Sequence, residues 1–259
     1  MSSALGLIFD EDPERYDRAR PGYPVDLLQD LASLGGIGRG TRILEIGPGT
    51  GQATEALVSA GAQVVGVEPG AGLGRLLARK FDTAVEVVTS RFEAWPLPEQ
   101  PFDLVTAFTS WHWLDQSVRG PKAAAALRPG GLLATITTFH ILGGTAGFFA
   151  DAQACYEKWD PATEPGIQLE PADAIPVGMD EIDTSELFQP AIRRRYQQEI
   201  TYSTAEYLDV LNTYSGHRAL SAERREGLLG CLADLADHKY GGTIRKRYLY
   251  ELRVAERVR

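Results

Sequence analysis

The sequence has few cysteines and no long apolar run. Cys155 and Cys231 lie far apart without metal-ligand spacing, so we expect reduced thiols rather than a disulfide framework. The chain has only four histidines, and no cluster of His, Cys, Asp and Glu has the spacing of a metal site, so we expect none. No apolar run approaches membrane-spanning length, and acidic residues 10–12 show no signal peptide. These absences predict a cytoplasmic protein.

Positive charge is also scarce. The 259 residues include 26 Lys and Arg against 35 Asp and Glu, which leaves a formal net charge of −9. This balance argues against general affinity for nucleic acid or anionic membranes, so we expect a small-molecule partner; the composition indicates no particular oligomeric state. Basic residues gather at 193–195 and 245–247, and we expect both clusters to be solvated strand ends. With 44% apolar residues, the chain can bury a sizeable core.

Short apolar runs alternate with helical patterns between about residues 40 and 140. The apolar runs are continuous and rich in Val, Ile, Leu and Thr, which is typical of a parallel sheet covered by helices on both faces. The alternation predicts an α/β fold with a doubly wound, mostly parallel sheet. The predicted strands of this half are 42–46, 63–67, 86–89, 102–107 and 132–138.

A glycine-rich turn follows the first predicted strand. Gly47, Gly49 and Gly51 have the spacing G-x-G-x-G, and their lack of a Cβ atom permits a sharp turn close to a ligand. Glu68 ends the next strand, where a carboxylate can accept hydrogen bonds from a ribose diol. The turn therefore predicts a nucleoside cofactor. A dinucleotide dehydrogenase would prefer G-x-G-x-x-G, but Gln52 occupies the final position.

Four ordered motifs within residues 38–140 resemble those of the class I S-adenosylmethionine-dependent methyltransferases. Residues 43–51 match the hh(D/E)hGxGxG turn of that family, where h is apolar, and residues 67–69 resemble its ribose-binding segment. Residues 102–105 resemble its fourth strand, and residues 127–132 resemble its LxPGG turn. The resemblance implies S-adenosylmethionine as the cofactor and a seven-stranded Rossmann-like sheet.

The resemblance also implies roles for residues at the strand ends. Glu45 and the glycine turn would hold the methionine part of the cofactor, and Glu68 would bind the ribose hydroxyls. Many relatives place an aspartate after the third strand to bind adenine, but Arg91 occupies that position and cannot accept a hydrogen bond. Phe92 or Glu93 would then hold the adenine. The implied cofactor-binding residues are Glu45, Gly47, Gly49, Gly51, Glu68, Pro69, Phe92, Glu93 and Thr109.

Two flanking segments, residues 16–24 and 110–115, resemble a narrower subgroup of small-molecule methyltransferases that includes trans-aconitate-type enzymes. In that subgroup the N-terminal helix folds over the cofactor. The alternative is that residues 20–22 only mark a helix boundary with exposed charge. The implied substrate-lining residues are Tyr16, Arg20, Tyr23, Trp111 and Trp113.

Two histidines are candidates for a general base. His112 and His140 each lie where a predicted strand ends near the cofactor, and His112 stands between two tryptophans that suggest an aromatic wall. The alternative for each is a packed histidine with one satisfied nitrogen. A carboxylate acceptor would need no base, because it is already ionised at neutral pH.

The pattern loosens after residue 138. Ser203 with Glu206 three residues later predicts a capped helix start. We expect insertions at 141–190 and 203–240 to form a helical lid. The predicted elements are helices at 148–159, 204–214 and 222–238, a loop at 160–180, and strands at 192–202 and 244–254. The predicted division is a helical cap at 1–37, a cofactor core at 38–140, and lid helices with the final strands at 141–259.

These features favour an S-adenosylmethionine-dependent methyltransferase that acts on a small metabolite, with transfer to oxygen. Carboxyl methyl ester formation on a small acid is the second interpretation, with Arg20 as the anion partner. Two further classes stay open. One is a dehydrogenase, which the Gln52 register disfavours. The other is a cofactor-binding protein without methyl transfer, which would share every cofactor motif.

Overall fold

A seven-stranded sheet forms the centre of the protein, and the computed structural model describes residues 10–259. The strands are β1 (Arg42–Ile46), β2 (Gln63–Glu68), β3 (Val85–Thr89), β4 (Phe102–Phe108), β5 (Leu127–Ile141), β6 (Ile192–Ser203) and β7 (Thr243–Glu256). Their order across the sheet is β3-β2-β1-β4-β5-β7-β6. Strands β1 to β5 pair in parallel, whereas β7 is antiparallel to both β5 and β6. The predicted doubly wound, mostly parallel sheet is confirmed.

Helices connect the strands and cover the sheet. They are α1 (Pro13–Ala19), α2 (Val25–Gly35), α3 (Thr54–Ser59), α4 (Ala71–Phe81), α5 (Gln116–Ala126), α6 (Ala146–Trp159), α7 (Glu181–Thr184), α8 (Thr204–Leu211), α9 (Ser215–Ala219) and α10 (Ala222–Tyr240). Helix α8 begins with the predicted capping box, in which Ser203 and Glu206 bond each other's backbone N–H groups. Residues 1–9 of the predicted cap lie outside the described residues.

Apolar side chains form a core on each face of the sheet. Ile43 and Leu44 are neighbours in β1 and are both fully buried, but they belong to two different apolar clusters. This follows from the strand geometry, since successive side chains point to opposite faces. Burial on both faces explains why apolar residues in β1 do not alternate with exposed polar ones: Ile43 to Ile46 are all buried, Glu45 included. Among the helices described between residues 10 and 259, none has the length and apolarity to cross a lipid bilayer.

The two cysteines form a disulfide bond. Cys155 lies on α6 and Cys231 on α10, and their Cα atoms are 5.8 Å apart. The expectation of reduced thiols is therefore wrong. The two cysteines are 76 positions apart in the sequence, with strand β6 between them, and the fold packs α6 against α10. Spacing along the sequence carries no signal of this pairing.

The two basic clusters differ from the predicted solvated strand ends. Arg193 and Arg194 pair with Asp183 and Asp30, whereas Arg245 and Arg247 both pair with Glu199 at an exposed position. Lys246, which lies between Arg245 and Arg247 in the sequence, is only 3% exposed. Because side chains alternate along a strand, Lys246 points to the opposite face from its two arginine neighbours. For Lys246 the expectation of a solvated end is wrong.

Candidate functional site

A cavity of about 480 Å³ lies where β1, β2, β4 and β5 end. In parallel α/β sheets this edge is where ligands bind. The volume lies within the range of small-molecule sites, roughly 300–1,000 Å³. Helix α1, the turn after α8 and strand β7 supply the remaining walls, through Tyr16, Tyr214 and Lys246.

Glu68 is held rigidly at the end of β2. Its side chain is 4% exposed. One carboxylate oxygen accepts a hydrogen bond from the Gly49 backbone N–H at 3.0 Å, and the other accepts from the Gly70 N–H at 2.9 Å. Each oxygen keeps a further lone pair, so the carboxylate can still accept from a ligand diol. Burial raises the pKa of Glu68 to about 7, against the lowering effect of the Gly70 and Gly49 hydrogen bonds.

The glycine turn after β1 meets two different neighbours. Gly47 has a φ of +65°, and a Cβ atom there would lie 2.8 Å from the Cβ of Ser110. Gly51 has a φ of +96°, and its Cβ would lie 2.4 Å from a ring carbon of Phe81 in α4. Both values exclude an ordinary side chain. At Gly51 the close approach is therefore to helix α4 rather than to the cavity.

Glu45 lies behind this turn and does not line the cavity. It is 1% exposed, and one carboxylate oxygen accepts a hydrogen bond from the Thr54 hydroxyl at 2.7 Å. Its Oε1 atom has no hydrogen-bond partner among the described residues. Burial, with a further contribution from the charge of Glu68, raises the pKa of Glu45 to about 7.

The raised pKa of Glu45 predicts a stability that depends on pH. A folded-state pKa raised from 4.5 to about 7 gives a contribution that is fully present below pH 4.5 and is lost as the pH rises to about 7. The loss amounts to about 3 kcal/mol. We expect Glu45→Gln to remove this pH dependence, so that the variant and the wild type match near pH 4 but the variant is more stable at pH 8. Urea unfolding at both pH values measures this, with the exposed Glu55→Gln as control. If the unfolding free energy of wild type and of Glu45→Gln changed equally between the two pH values, the prediction would be contradicted.

Strained backbone marks the end of β4. Thr109 has a φ of +55°, which is rare for a β-branched residue. Its hydroxyl lies 3.2 Å from the Tyr23 hydroxyl and 2.9 Å from the Thr138 hydroxyl. These two contacts join the segment after α1 to the sheet at the middle of the cavity. Strain of this kind is common at binding sites, where surrounding contacts fix it.

The far end of the cavity is lined by cations and tyrosines. Lys246 donates a hydrogen bond to the Tyr214 hydroxyl at 2.8 Å. The guanidinium of Arg20 lies 4.8 Å from the centre of the Tyr214 ring and also donates to the Thr213 carbonyl at 2.8 Å. Tyr248 is also buried at this end, and the centre of its ring lies 5.0 Å from the ammonium nitrogen of Lys246. Lys246, Tyr214 and Tyr248 were not among the predicted site residues.

The two candidate histidines occupy different places in the cavity. His112 is exposed, and loss of surrounding water together with the charges of Arg119 and Arg20 lowers its pKa. His140 is partly buried, with its ring 4.5 Å from that of Phe149. Burial, helped by the charge of Lys246, lowers the pKa of His140 to about 2. His140 is therefore neutral at physiological pH, and its affinity for a proton is low.

Comparison with known proteins decides the family. A family model described as a methyltransferase domain matches residues 43–131. An uncharacterised methyltransferase of Bacillus subtilis is 31% identical over 167 residues, which cover 62% of this chain and 75% of that protein. The chain belongs to the class I S-adenosylmethionine-dependent methyltransferases. The cofactor of this family is S-adenosylmethionine, in agreement with the prediction.

Further proteins are also similar to this chain. An uncharacterised methyltransferase of Mycobacterium tuberculosis is 32% identical over 132 residues, or 51% of this chain, and the match spans about half of the relative's length (52%). A solved S-adenosylmethionine-dependent methyltransferase of Thiobacillus denitrificans, in complex with S-adenosyl-L-homocysteine, has a TM-score of 0.52 at 12% identity over 96% of both chains. A solved phosphoethanolamine N-methyltransferase of Haemonchus contortus has a TM-score of 0.52 at 16% identity, over 96% of this chain and 58% of the other. Both structures show the shared fold.

Most of the predicted site residues line the cavity. They are Tyr16, Arg20, Tyr23, Gly47, Gly49, Glu68, Pro69, Phe92, Glu93, Thr109, His112, Trp113 and His140. Glu45, Gly51 and Trp111 do not line it. At the predicted adenine end Arg91 is exposed, Phe92 is 2% exposed, and Glu93 accepts a hydrogen bond from the Asp115 N–H at 3.0 Å. The roles of these residues, and the trans-aconitate-type subgroup, stay predictions.

Proposed function

We propose that the protein transfers the methyl group of S-adenosylmethionine to an oxygen atom of a small metabolite. The observation that carries this proposal is the continuity of the cavity. It runs from the buried carboxylate of Glu68 at one end to Lys246 and Tyr214 at the other. A donor and an acceptor bound at the two ends would therefore meet inside one cavity.

The residues at the cofactor end fit S-adenosylmethionine. Glu68 would accept hydrogen bonds from the ribose hydroxyls, because both carboxylate oxygens are fixed and keep a free lone pair. Pro69 and Phe92 line the cavity near the predicted adenine end and would contact the base with Glu93. When bound, this cofactor supplies an electrophilic methyl group. Alignment of donor and acceptor can lower the barrier by about 7–11 kcal/mol in favourable cases.

The acceptor end favours a small polar molecule. The cavity has the volume of a metabolite site rather than of a groove for a macromolecule, and the net charge of −9 disfavours nucleic acid. Arg20 and Lys246 both face this end, which supports carboxyl methyl ester formation on a small acid as the second candidate function. We also propose the division of the chain into cap, core and lid, and a cytoplasmic location.

Calorimetry and an acceptor screen test the proposed function. We expect both S-adenosylmethionine and S-adenosylhomocysteine to bind the purified protein at micromolar concentration. We also expect turnover, read as homocysteine release in a coupled assay, with members of a panel of phenols, alcohols, acids and amines. The amines are included because the Haemonchus contortus neighbour is an N-methyltransferase. Absence of cofactor binding would overturn the proposal, and tight binding without any turnover would favour a cofactor-binding protein.

A further inference from the structure

Lys246 is a buried cation whose polar contact is a phenol. It is 3% exposed, and none of the ion pairs among residues 10–259 includes it. Its ammonium group donates to the Tyr214 hydroxyl at 2.8 Å and lies 4.9 Å from the centre of that ring. A buried charge is costly unless a counter-charge or strong acceptor compensates it. The arrangement therefore favours a negative charge on, or next to, the Tyr214 oxygen.

Further groups around Tyr214 also favour a negative charge on its oxygen. Arg20 lies 4.8 Å from its ring centre, and the Tyr248 hydroxyl forms a hydrogen bond with Tyr214. Tyr248 in turn lies 3.1 Å from the Tyr202 hydroxyl. The charged or titratable groups that face Tyr214 from the elements around it are Arg20, Lys246, Tyr156, Tyr202, Tyr207, Tyr248, Tyr250 and His217. The two permanent charges in this set are both positive.

Tyr214 differs from every other tyrosine of the protein. Burial raises its pKa, but the charges of Lys246 and Arg20 and the hydrogen bonds from Lys246 and Tyr248 outweigh burial, so its pKa is lowered below 10.0. The chain has ten tyrosines. The pKa of each of the other nine is raised, mostly by burial. If one tyrosine of the protein ionises below the usual pH range of tyrosine, we therefore assign that ionisation to Tyr214.

We propose that Tyr214 is the general base of the reaction and that Lys246 holds it in position, so that the acceptor is a neutral alcohol or phenol. The inference rests on the proposed methyl transfer to oxygen. The acceptor O–H proton moves to the Tyr214 oxygen, and the electron pair of that O–H bond forms the new bond to the methyl carbon. The bond between that carbon and the donor sulfur breaks, and its electron pair stays on sulfur. Tyr214, now neutral, returns the proton to water.

The other candidate bases serve this step less well. The pKa of His140 is lowered to about 2 by burial and Lys246, so its neutral ring is a weak base. His112 is exposed on the turn after β4, and loss of surrounding water with the charges of Arg119 and Arg20 lowers its pKa. A base works best when its pKa lies near the operating pH. Of the three groups, Tyr214 is the one whose proton-accepting form is an anion, and Lys246 and Arg20 stabilise that anion.

Ultraviolet titration of tyrosinate tests the state of Tyr214 without knowledge of the acceptor. We expect the folded protein, saturated with S-adenosylhomocysteine, to gain one tyrosinate absorbance step below pH 10. Tyr214→Phe should abolish this step, Lys246→Met should move it to higher pH, and Lys246→Arg should retain it. Tyr240→Phe, on the outer helix α10, is the matched control and should leave it unchanged. No step below pH 10, or a step that survives Tyr214→Phe, would overturn the proposal.

Turnover of an acceptor from the screen gives the second test. Tyr214→Phe keeps the ring and should lower kcat/KM for an alcohol or phenol by roughly 10²–10⁴-fold. Calorimetry with S-adenosylhomocysteine should show unchanged affinity, which also verifies folding. A less than twofold loss, or turnover of carboxylates alone, would overturn the role of Tyr214 while leaving methyl transfer in place. Failure of cofactor binding in the wild type would instead refute the proposed function itself.

Discussion

Replacement of Glu68 with alanine is expected to weaken S-adenosylhomocysteine binding by roughly 10²–10⁴-fold. Hydrogen bonds to a charged group contribute about 1.5–3 kcal/mol each, and Glu68 would accept two of them from the ribose. Its carboxylate is already fixed by the N–H groups of Gly49 and Gly70, so little freedom remains to be lost when the cofactor binds. The full strength of both bonds is then available for binding.

Calorimetry measures the effect of Glu68→Ala. Glu86→Ala is the matched control, because Glu86 carries the same charge at an exposed position on the neighbouring strand β3. Affinity of the wild type should also fall below pH 7, since the pKa of Glu68 in the free protein is raised to about 7 and the ionised form accepts the diol. A loss of less than threefold in Glu68→Ala, or an equal loss in Glu86→Ala, would show that Glu68 does not bind the ribose.

The cofactor half of the site could be predicted because its signals are local. Each buried strand is a short apolar run, and the residues that follow it are brought to one edge by the parallel sheet. Glu68, Thr109 and His140 are predicted site residues found at strand ends in this way. Gly51 is the partial exception. Its glycine signal is real, but the space is needed by Phe81 of α4 rather than by a ligand.

Arg20 was predicted at the acceptor end, but Tyr214 and Lys246 could not be, because this end joins residues from distant parts of the chain. Arg20 follows α1, Tyr214 lies between α8 and α9, and Lys246 comes from β7. Lys246 also stands between two exposed arginines, so composition alone suggests a solvated cluster. The alternation of β7 was the available signal: Ile244, Lys246 and Tyr248 share one buried face.

A salt-bridge network on the opposite side of β7 was also missed. Arg253 is 7% exposed and donates to both carboxylate oxygens of Asp180, at 2.5 and 2.9 Å. Arg119 donates to both carboxylate oxygens of Glu181 and to the Trp111 carbonyl. The sequence around residue 180 is acidic and was predicted as a loop up to that position, and the four-residue helix α7 is too short to show a period. The charges in this segment are buried by contacts with β7 and α5, which are distant from it in the sequence.

Arg253→Met is expected to cost about 3–5 kcal/mol of unfolding free energy. Removal of one partner of a buried ion pair leaves the other charge uncompensated, and this costs more than the pair itself contributes. Here Asp180 would lose both of its hydrogen bonds from Arg253 and keep only the more distant guanidinium of Arg119, at 3.6 Å, as a cationic partner. The Thr135 hydroxyl would lose its donor as well. Methionine has similar length and fills the space, so the loss reports charge rather than a cavity.

Urea unfolding measures this cost, and β7 itself offers the control. Arg245 lies on the same strand, but its side chain is 57% exposed and pairs with Glu199 at 3.5 Å. Exposed pairs contribute about 0–1 kcal/mol, so Arg245→Met should change stability little. Equal effects of the two variants would mean that the Asp180 network is not a stabilising anchor. Arg119, which belongs to the same network, donates a hydrogen bond to the Trp111 carbonyl. Disruption of the network by Arg253→Met is therefore also expected to loosen the turn that carries His112 and Trp113.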